Sequence, residues 1–493
     1  MKQPLLYEIN TRCWLNELSE TSGATIDLGN IPETEFTRWR QWEFTHIWLM
    51  GVWTTGPRSR AAALNSPELS REFREAWPDF QPDDVAGSPF AIADYEVPSA
   101  LGGEAGLKQF RKRLHACGLK LLLDFVPNHL GLDHAWVAER PELFIQSSAQ
   151  KPETFPQETR VGTRWLAHGK DPYFPAWIDT AQLDYRRSDT RLAMIGLLQA
   201  VARLCDGVRC DMAMLVLKEV FAKTWQSFPY PLTPPTTEFW DEAIQAVRKS
   251  RPDFLFLAEV YWDLETQLQS LGFDYTYDKR LYDHLIARQP REAQAHLLHQ
   301  AKEFCAASVH FLENHDEPRI ASLLSPAEHR AAALAVLGLP GLRFLHEGEL
   351  SGARTRLPVH LRGRPKEPHQ EEIAALYEKL LTVLPATAVG SAEGELLEPR
   401  VAWDDNSTAQ NFILVEWQSA RPELDLVVVN LASHHSQCYA PLTIPGLDQH
   451  NWQMKDLLGA EIYLRRGDDL QIQGLYLDVP GQGAQLFHFQ PVN

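Results

Sequence analysis

Cysteine is scarce in this chain, and the few that occur follow no pattern. The 493 residues contain six cysteines, without a CxxC pair or regular spacing. Most lie within apolar runs, where a thiol behaves as a small hydrophobic group. We therefore expect reduced thiols, and neither a disulfide framework nor a zinc ribbon. The six are Cys13, Cys117, Cys205, Cys210, Cys305 and Cys438.

Long apolar runs are also missing. No stretch of about 18 apolar residues occurs, so the sequence predicts no membrane span. At the N-terminus a strand-like run already begins at Leu5, which leaves no room for the charged region, apolar core and cleavage site of a secretory signal. We therefore expect a cytoplasmic protein.

Positive charge is in deficit. Lys and Arg number 47 against 65 Asp and Glu, for a formal net charge of -18. Nucleic-acid binding requires clustered Lys and Arg, so this balance argues against a nucleic-acid partner. Neutral substrates fit the composition, and nothing in the sequence indicates an oligomeric state.

Short apolar runs alternate with longer amphipathic stretches up to about residue 385, a pattern typical of βα units in a parallel sheet. Eight runs predict the strands of a (β/α)8 TIM barrel. They are Leu5–Asn10, His46–Met50, Lys120–Phe125, Gly207–Asp211, Phe254–Glu259, Gly272–Tyr275, Ser308–Glu313 and Leu342–His346.

Two further regions differ in texture from the barrel pattern. Residues 130–185 are rich in Pro, Trp and Phe and predict an insertion after the third strand. Residues 389–493 show short alternating runs between turn residues and predict an antiparallel β-sandwich. The barrel itself is assigned to residues 1–129 and 186–388.

Four predicted strands end in polar clusters, whereas a purely structural parallel strand runs apolar into an ordinary turn. On a barrel, these strand ends converge on one face. The clusters are Asp124-Phe-Val-Pro-Asn128-His129, Gly207-Val-Arg209-Cys-Asp211, Leu257-Ala-Glu259-Val-Tyr261-Trp262 and Phe311-Leu-Glu-Asn314-His315-Asp316.

Together these four segments resemble the short sequence regions of the α-amylase family, in the family's order. Weaker landmarks agree, namely Ile92-Ala-Asp94-Tyr95 and Ala181-Gln-Leu183-Asp184-Tyr185. The resemblance implies a glycoside hydrolase or transglycosylase acting on α-glucans with retention of configuration. It assigns Asp211 as nucleophile, Glu259 as acid/base, and Asp316 as the carboxylate that binds sugar hydroxyls and stabilises the transition state.

The residue types suit that chemistry, because retaining hydrolysis uses one carboxylate as nucleophile and one carboxylic acid as proton donor. Strand periodicity puts Arg209 on the same side as Asp211, where its charge favours an ionised nucleophile. The apolar run before Glu259 favours a raised pKa for the acid. A structural ion pair is the alternative interpretation for Arg209 with Asp211.

Further substrate-binding residues are predicted around these three. The motif positions assign hydrogen-bonding roles to His129, His315 and Asn314, and stacking on a sugar ring is predicted for Phe90, Trp262 and Trp165. Asp124 is predicted to bind substrate, with a loop-capping carboxylate as the equally weighted alternative.

The sequence departs from the family after the nucleophile. Met214 and Leu215 replace the Lys-His pair that contacts the leaving sugar in many members, and we expect a more apolar leaving-group side. The same change argues against a structural calcium, for which Asn128 and Asp184 are the candidate ligands. No cofactor or other metal is predicted.

Three functions are compatible with these motifs. The first is hydrolysis of α-1,4-linked glucans or maltooligosaccharides. The second is transfer, in which a sugar hydroxyl or phosphate intercepts the glycosyl-enzyme. The third is a barrel that only binds carbohydrate or protein partners, which the presence of all three carboxylates disfavours. Basic groups between Arg354 and Arg364 are predicted to bind a substrate anion or to pair with surface acids.

Overall fold

A computed structural model describes residues 3–160, 162–230, 233–418 and 423–492. Its centre is a closed barrel of eight parallel strands, in which β1 pairs with both β2 and β8. The predicted (β/α)8 barrel is confirmed. The strands are β1 Leu5–Asn10, β2 His46–Met50, β3 Lys120–Phe125, β4 Gly207–Cys210, β5 Leu255–Ala258, β6 Tyr275–Tyr277, β7 Ser308–His310 and β8 Leu342–His346.

Helices surround the barrel and fill most of the connections between strands. Their buried faces pack on the outer surface of the strands, as expected for parallel strands covered on both sides. The α-helices are Thr11–Ser22, Glu33–Gln41, Pro57–Asn65, Pro67–Ala76, Gly103–Ala116, Ala135–Glu139, Ser188–Leu204, Lys218–Thr224, Phe239–Arg248, Glu265–Ser270, Lys279–Ile286, Pro290–His299, Lys302–Ala306, Ile320–Leu323, Pro326–Gly338, Glu371–Val383 and Gly467–Gln473.

The barrel interior is filled by side chains rather than open. A cluster of fully buried residues occupies it, including Leu6, Trp48, Leu122, Leu257 and Phe344. Each strand alternates between this cluster and the helical layer, so the polar side chains at the strand ends project from the top of a solid core.

The sixth strand begins later than the sequence predicts. We expected Gly272–Tyr275, but β6 spans Tyr275–Tyr277. Gly272 has φ 106°, a left-handed conformation that follows the Glu265–Ser270 helix. Only glycine adopts this φ without strain, so Gly272 serves the helix end and not the strand.

The insertion after β3 is built from small antiparallel sheets. Its strands are His129–Gly131 paired with Thr180–Gln182, and Gln146–Ser147, Thr154–Thr159 and Gly162–Ala167 in a second sheet. A separate pair, Thr54–Thr55 with Ile92–Asp94, lies between β2 and β3. The insertion follows the carboxyl end of β3, the end that carries the polar clusters, and its first and last strands pair at His129 and Gln182.

The C-terminal part forms two antiparallel sheets with their own apolar core, and the predicted class of fold for this region is confirmed. Trp417 donates a hydrogen bond of 2.9 Å to the carbonyl of Gly338, at the end of the Pro326–Gly338 helix of the barrel. The strands are Glu393–Leu396, Arg400–Val401, Phe412–Gln418, Leu424–Asn430, Ser436–Ala440, Asn451–Asp456, Ile462–Arg466, Leu475–Val479 and Ala484–Val492.

No helix among the described residues has the length and apolar character needed to cross a bilayer. The six cysteines are unpaired, and five of them are buried. The residue limits of the barrel, insertion and C-terminal region stay predictions.

Candidate active site

The site is assembled at the carboxyl ends of the barrel strands. Asp124 is part of β3, Asp211 directly follows β4, and Glu259 directly follows β5. Asp316 lies in the loop after β7. Because parallel strands end on the same face, four segments far apart in sequence supply one cluster of carboxyl groups.

Arg209 joins the two carboxyl groups at the centre of this cluster. Its Nη1 donates to Asp211 Oδ1 at 2.6 Å, and its Nη2 lies 2.8 Å from Glu259 Oε2. The Arg209 side chain is 1% exposed, so its charge acts with little screening by water. One guanidinium thus holds Asp211 and Glu259 side by side.

Burial raises the pKa of both carboxyl groups, and the Arg209 guanidinium opposes the rise. The pKa of Glu259 reaches about 7, with the neighbouring Asp211 charge adding to the effect of burial. Two adjacent carboxyl groups titrate as a coupled pair, in which ionisation of one disfavours ionisation of the other. The shorter contact of Arg209 with Asp211 favours the ionised form at Asp211 and the protonated form at Glu259.

Glu259 is also fixed by two further donors. The Met212 backbone N–H donates to Oε2 at 2.7 Å, and the Tyr261 hydroxyl donates to Oε1 at 2.8 Å. Met212 has φ 41°, a strained conformation for a residue with a side chain. The turn after β4 therefore places its backbone N–H against the carboxyl group of the next strand.

Asp316 is paired with His315, which in turn contacts Glu8 on β1. The His315 Nε2 atom lies 2.9 Å from Asp316 Oδ2, and its Nδ1 lies 2.5 Å from Glu8 Oε1. Burial lowers the pKa of His315, but the two carboxylates outweigh it and raise the pKa well above the ordinary value. The ring is therefore an imidazolium at neutral pH, and it holds the pKa of Asp316 below its usual range.

Glu8 is a site residue that our sequence interpretation missed. It lies on β1 and is fully buried, and its carboxylate lies 2.5 Å from His315 Nδ1 and 4.0 Å from His346 Nε2. The available signal was a charged residue in an otherwise apolar barrel strand, followed two residues later by Asn10. Polar residues at the end of an apolar run identified the other four strands, and the same signal in β1 was overlooked.

Of the predicted stacking residues, Phe90 contacts the cluster, and Trp262 lies near it in sequence. The Phe90 ring stacks on His315 at 5.3 Å between centroids, and the Arg209 guanidinium lies 5.4 Å from its centre. Trp262 follows Glu259 by three residues and is 37% exposed, in edge contact with Tyr173. Its φ of 65° holds the ring outside the core, where a ligand can reach it.

Asp124, Asn314 and His129 are more deeply buried than the stacking residues. Both Asp124 oxygens accept bonds from the β2 region, one from Trp48 Nε1 at 3.0 Å and one from the Gly51 N–H at 2.8 Å. Asn314 Oδ1 accepts from the Asp316 N–H at 2.9 Å and shapes that loop. Burial lowers the pKa of His129 to about 4, so its ring is neutral. Substrate contact by these three stays a prediction.

Met214 and Leu215 lie in a 3-10 turn and are buried, at 0% and 3% exposure. Met214 packs in the apolar cluster outside the barrel interior. Because Glu259 is equally buried, this exposure does not decide whether the two residues face the leaving group, and a more apolar leaving-group side stays a prediction. Trp165 lies in the Gly162–Ala167 strand, and no hydrogen bond or ring contact in the described part of the chain joins it to the carboxyl cluster.

The basic segment after β8 pairs partly with acids. Arg364 contacts Glu17 and Glu347 at 3.0 and 2.9 Å, and Arg356 lies 3.6 Å from Glu72. Arg356 also donates to the Asp316 carbonyl at 3.2 Å. The segment thus braces the loop that carries Asp316, in keeping with the surface-acid alternative for these two arginines.

The comparisons with known proteins agree with this geometry. A family model described as "Alpha amylase, catalytic domain" matches residues 81–356. The chain is 23% identical over 377 residues to "Alpha-amylase MalA" of Haloarcula japonica, covering 74% of this chain and 51% of that protein. It is 24% identical over 248 residues to a "Cyclomaltodextrinase" of Geobacillus thermopakistaniensis, covering 47% and 38%.

The chain thus spans about half the length, or less, of these two curated relatives. Among solved structures, a maltogenic α-amylase, AmyB, from Thermotoga neapolitana superposes with a TM-score of 0.67 at 21% identity, over 99% of both chains. At that identity the likeness concerns the fold.

Proposed function

The chain belongs to the α-amylase family, and on this basis we propose that it is a retaining glycoside hydrolase acting on α-1,4-linked glucans or maltooligosaccharides. The observation that carries the proposal is the Arg209 guanidinium, which contacts both Asp211 and Glu259, together with the raised pKa of Glu259. Retaining chemistry needs one ionised and one protonated carboxyl group, and this arrangement supports that division of roles.

In the first step an Asp211 oxygen attacks the anomeric carbon while the bond to the leaving oxygen breaks. Glu259 gives its proton to that oxygen, and a glycosyl ester forms on Asp211. In the second step Glu259, now ionised, takes a proton from water, whose oxygen attacks the same carbon and releases Asp211. Asp316 and His315 bind sugar hydroxyls, and the Asp316 carboxylate stabilises the positive charge of the transition state.

The substrate class rests on the names of the relatives, since an α-amylase and a cyclomaltodextrinase act on α-glucans. Incubation with maltoheptaose, followed by chromatography of the products, tests it. We expect shorter maltooligosaccharides. Failure to turn over any α-glucoside, including aryl α-glucosides, would contradict the proposal.

Transfer is the second candidate, and the Tyr173–Trp262 pair favours it. Tyr173 is 60% exposed and its ring centre lies 5.0 Å from that of Trp262, close to Glu259 in sequence. Such a pair offers a stacking surface for an acceptor sugar. Products longer than the starting oligosaccharide, or glucosyl phosphate formed when phosphate is added, distinguish transfer from hydrolysis.

The alkaline side of the pH profile is expected to follow Glu259. Its carboxyl must be protonated for the first step, and its pKa is about 7 because burial penalises the charged form. The kcat/KM value is therefore expected to hold below pH 7 and to fall as the pH rises through that value.

The Tyr261→Phe variant tests this assignment. The Tyr261 hydroxyl donates to Glu259 Oε1 and favours the ionised form. Its removal is expected to raise the pKa of Glu259 and to move the alkaline limb to higher pH. Tyr439→Phe, in the C-terminal sheet, is the matched control. An alkaline limb that does not move in Tyr261→Phe would contradict the assignment.

We also propose that the fold does without a structural calcium. Both carboxylate oxygens of Asp184 are bound by Arg186, at 2.7 and 2.9 Å, and Asn128 Oδ1 accepts from Gln182 at 3.0 Å. The Arg186 guanidinium thus occupies the Asp184 oxygens that a calcium ion would need. Calcium also requires several more oxygen ligands. The candidate ligands therefore do not fit a calcium ion.

Removal of metal ions tests this proposal. After dialysis against EDTA we expect unchanged kcat and a Tm within about 1 °C of the untreated protein, because no bound ion is lost from the native state. A fall in Tm that added calcium reverses would contradict the proposal.

A further inference from the structure

A second cavity lies outside the barrel, behind β1. Its volume is about 730 Å³, and none of the three catalytic carboxyl groups lines it. The Thr11–Ser22 helix, the loop after β8 and the Glu371–Val383 helix enclose it. Strand β1 separates it from the catalytic site, since Leu6 lies in the barrel interior while Tyr7 and Ile9 line the cavity.

The size of this cavity sets it apart from ordinary packing defects. Protein interiors are packed about as densely as organic crystals, and few voids exceed one water molecule. Sites for small ligands have volumes of about 300 to 1,000 Å³, and this cavity falls within that range. The space therefore has the size of a ligand site.

Five of the charged side chains that line the cavity form ion pairs with one another. Arg364 Nη2 contacts Glu17 at 3.0 Å and Glu347 at 2.9 Å, and Arg38 contacts Glu35 at 2.6 Å. An ionic ligand would have to compete with these pairs. A neutral ligand with many hydroxyl groups can instead bond to the oxygens and N–H groups that the pairs leave over.

Two observations point to such hydroxyl groups. Tyr7 is 8% exposed and lines the cavity, and none of the hydrogen bonds between described residues involves its hydroxyl group. Arg364 uses Nη2 for its ion pairs, and within the same residues its buried Nε has no hydrogen-bond partner. Buried polar groups are normally satisfied, and a bound polyol would satisfy both.

Aromatic side chains complete the lining. Trp14 and Trp42 line the cavity near the helix end of Glu33–Gln41. The Trp14 indole N–H is already bonded to Glu35, at 3.2 Å, so what remains for a ligand is apolar ring surface. An apolar ring beside hydroxyl-binding groups is the combination that matches a sugar, which has C–H faces and polar edges.

We propose that this cavity binds a short neutral oligosaccharide at a site distinct from the catalytic cleft. The ligand class follows from the lining and does not depend on the proposed reaction. The cavity site and the catalytic site are filled independently. With maltotriose as the probe, we expect two binding sites per chain.

Calorimetric titration of maltotriose into the Asp211→Asn protein tests the proposal, because that variant is not expected to turn the sugar over. Ala374→Trp fills the cavity, since Ala374 lines it. This variant is expected to lose one site, while Ala375→Trp, at an exposed position next to it on the same helix, retains both. The Ala374→Trp change alone, made with Asp211 present, is expected to leave kcat unchanged.

The Trp42→Ala variant is a milder substitution that tests the site even if Ala374→Trp does not fold. Trp42→Ala removes one aromatic wall and is expected to weaken one site about fivefold, in line with a stacking contribution near 1 kcal/mol. A single site in the parent that Ala374→Trp leaves intact would overturn the proposal, as would binding of inorganic phosphate in place of maltotriose. If only the catalytic assignment is wrong, the protein with Ala374 intact will still bind maltotriose at the cavity site, and Ala374→Trp will still abolish that binding.

Discussion

Replacing Asp211 by Asn is expected to lower kcat by about four to six orders of magnitude, the loss seen when a covalent nucleophile is removed. The amide has nearly the shape of the carboxylate but cannot form the glycosyl ester. Arg209 keeps its contact with Glu259, so the fold and the KM for a maltooligosaccharide are expected to change little. Initial rates with an aryl α-glucoside measure the effect.

The matched control for this substitution is Asp189→Asn. Asp189 stands in the first turn of the Ser188–Leu204 helix with its side chain 68% exposed, and the change is expected to leave kcat unaltered. An Asp211→Asn protein with more than about 1% of the parent activity would contradict the nucleophile assignment, because the residual rate without a nucleophile is far lower.

Replacing Arg209 by Met is expected to damage both stability and activity. The guanidinium is buried and neutralises Asp211 and Glu259. Its removal leaves two buried carboxyl groups without their cation, a change that typically costs about 3 to 5 kcal/mol. Both carboxyls are expected to take up protons, because the pKa of each rises once the cation is gone. The nucleophile is then neutral at pH 7, and kcat falls with it.

Urea unfolding and kcat measured across pH separate the two effects. Activity that survives in the folded Arg209→Met protein is expected to rise at alkaline pH, where Asp211 ionises. The Arg209→Lys variant is the control: it keeps a positive charge but cannot bridge both carboxyls, and we expect an intermediate loss. Unaltered activity in Arg209→Met would mean that Arg209 is only a structural partner.

The barrel was predictable because its signal is local. Apolar runs such as Leu5–Asn10 and Leu342–His346 appear in the structure with the predicted bounds. The strand at residues 275–277 was misplaced because its boundary depends on the left-handed conformation of Gly272, which serves the preceding helix. A glycine beside an apolar run does not reveal in sequence which of two neighbouring elements uses it.

The site was predictable only in part. Motif order identified Arg209, Asp211 and Glu259, and the structure brings these three together. Glu8 was missed because its partner His315 lies 307 positions away, a distance that only the closed barrel removes. The burial of Met214 was not predictable, because a sequence does not tell which side of a tight turn a side chain takes.

The central claim is that a glycosyl group becomes covalently attached to Asp211, and mass spectrometry of a trapped intermediate tests it most directly. A 5-fluoro-α-glucosyl fluoride forms the glycosyl ester quickly and slows its hydrolysis. The proposed mechanism predicts one added glycosyl group per chain, located by peptide mapping to Asp211. A protein that turns over the reagent without any adduct, or with the adduct on Glu259 or Asp316, would contradict it.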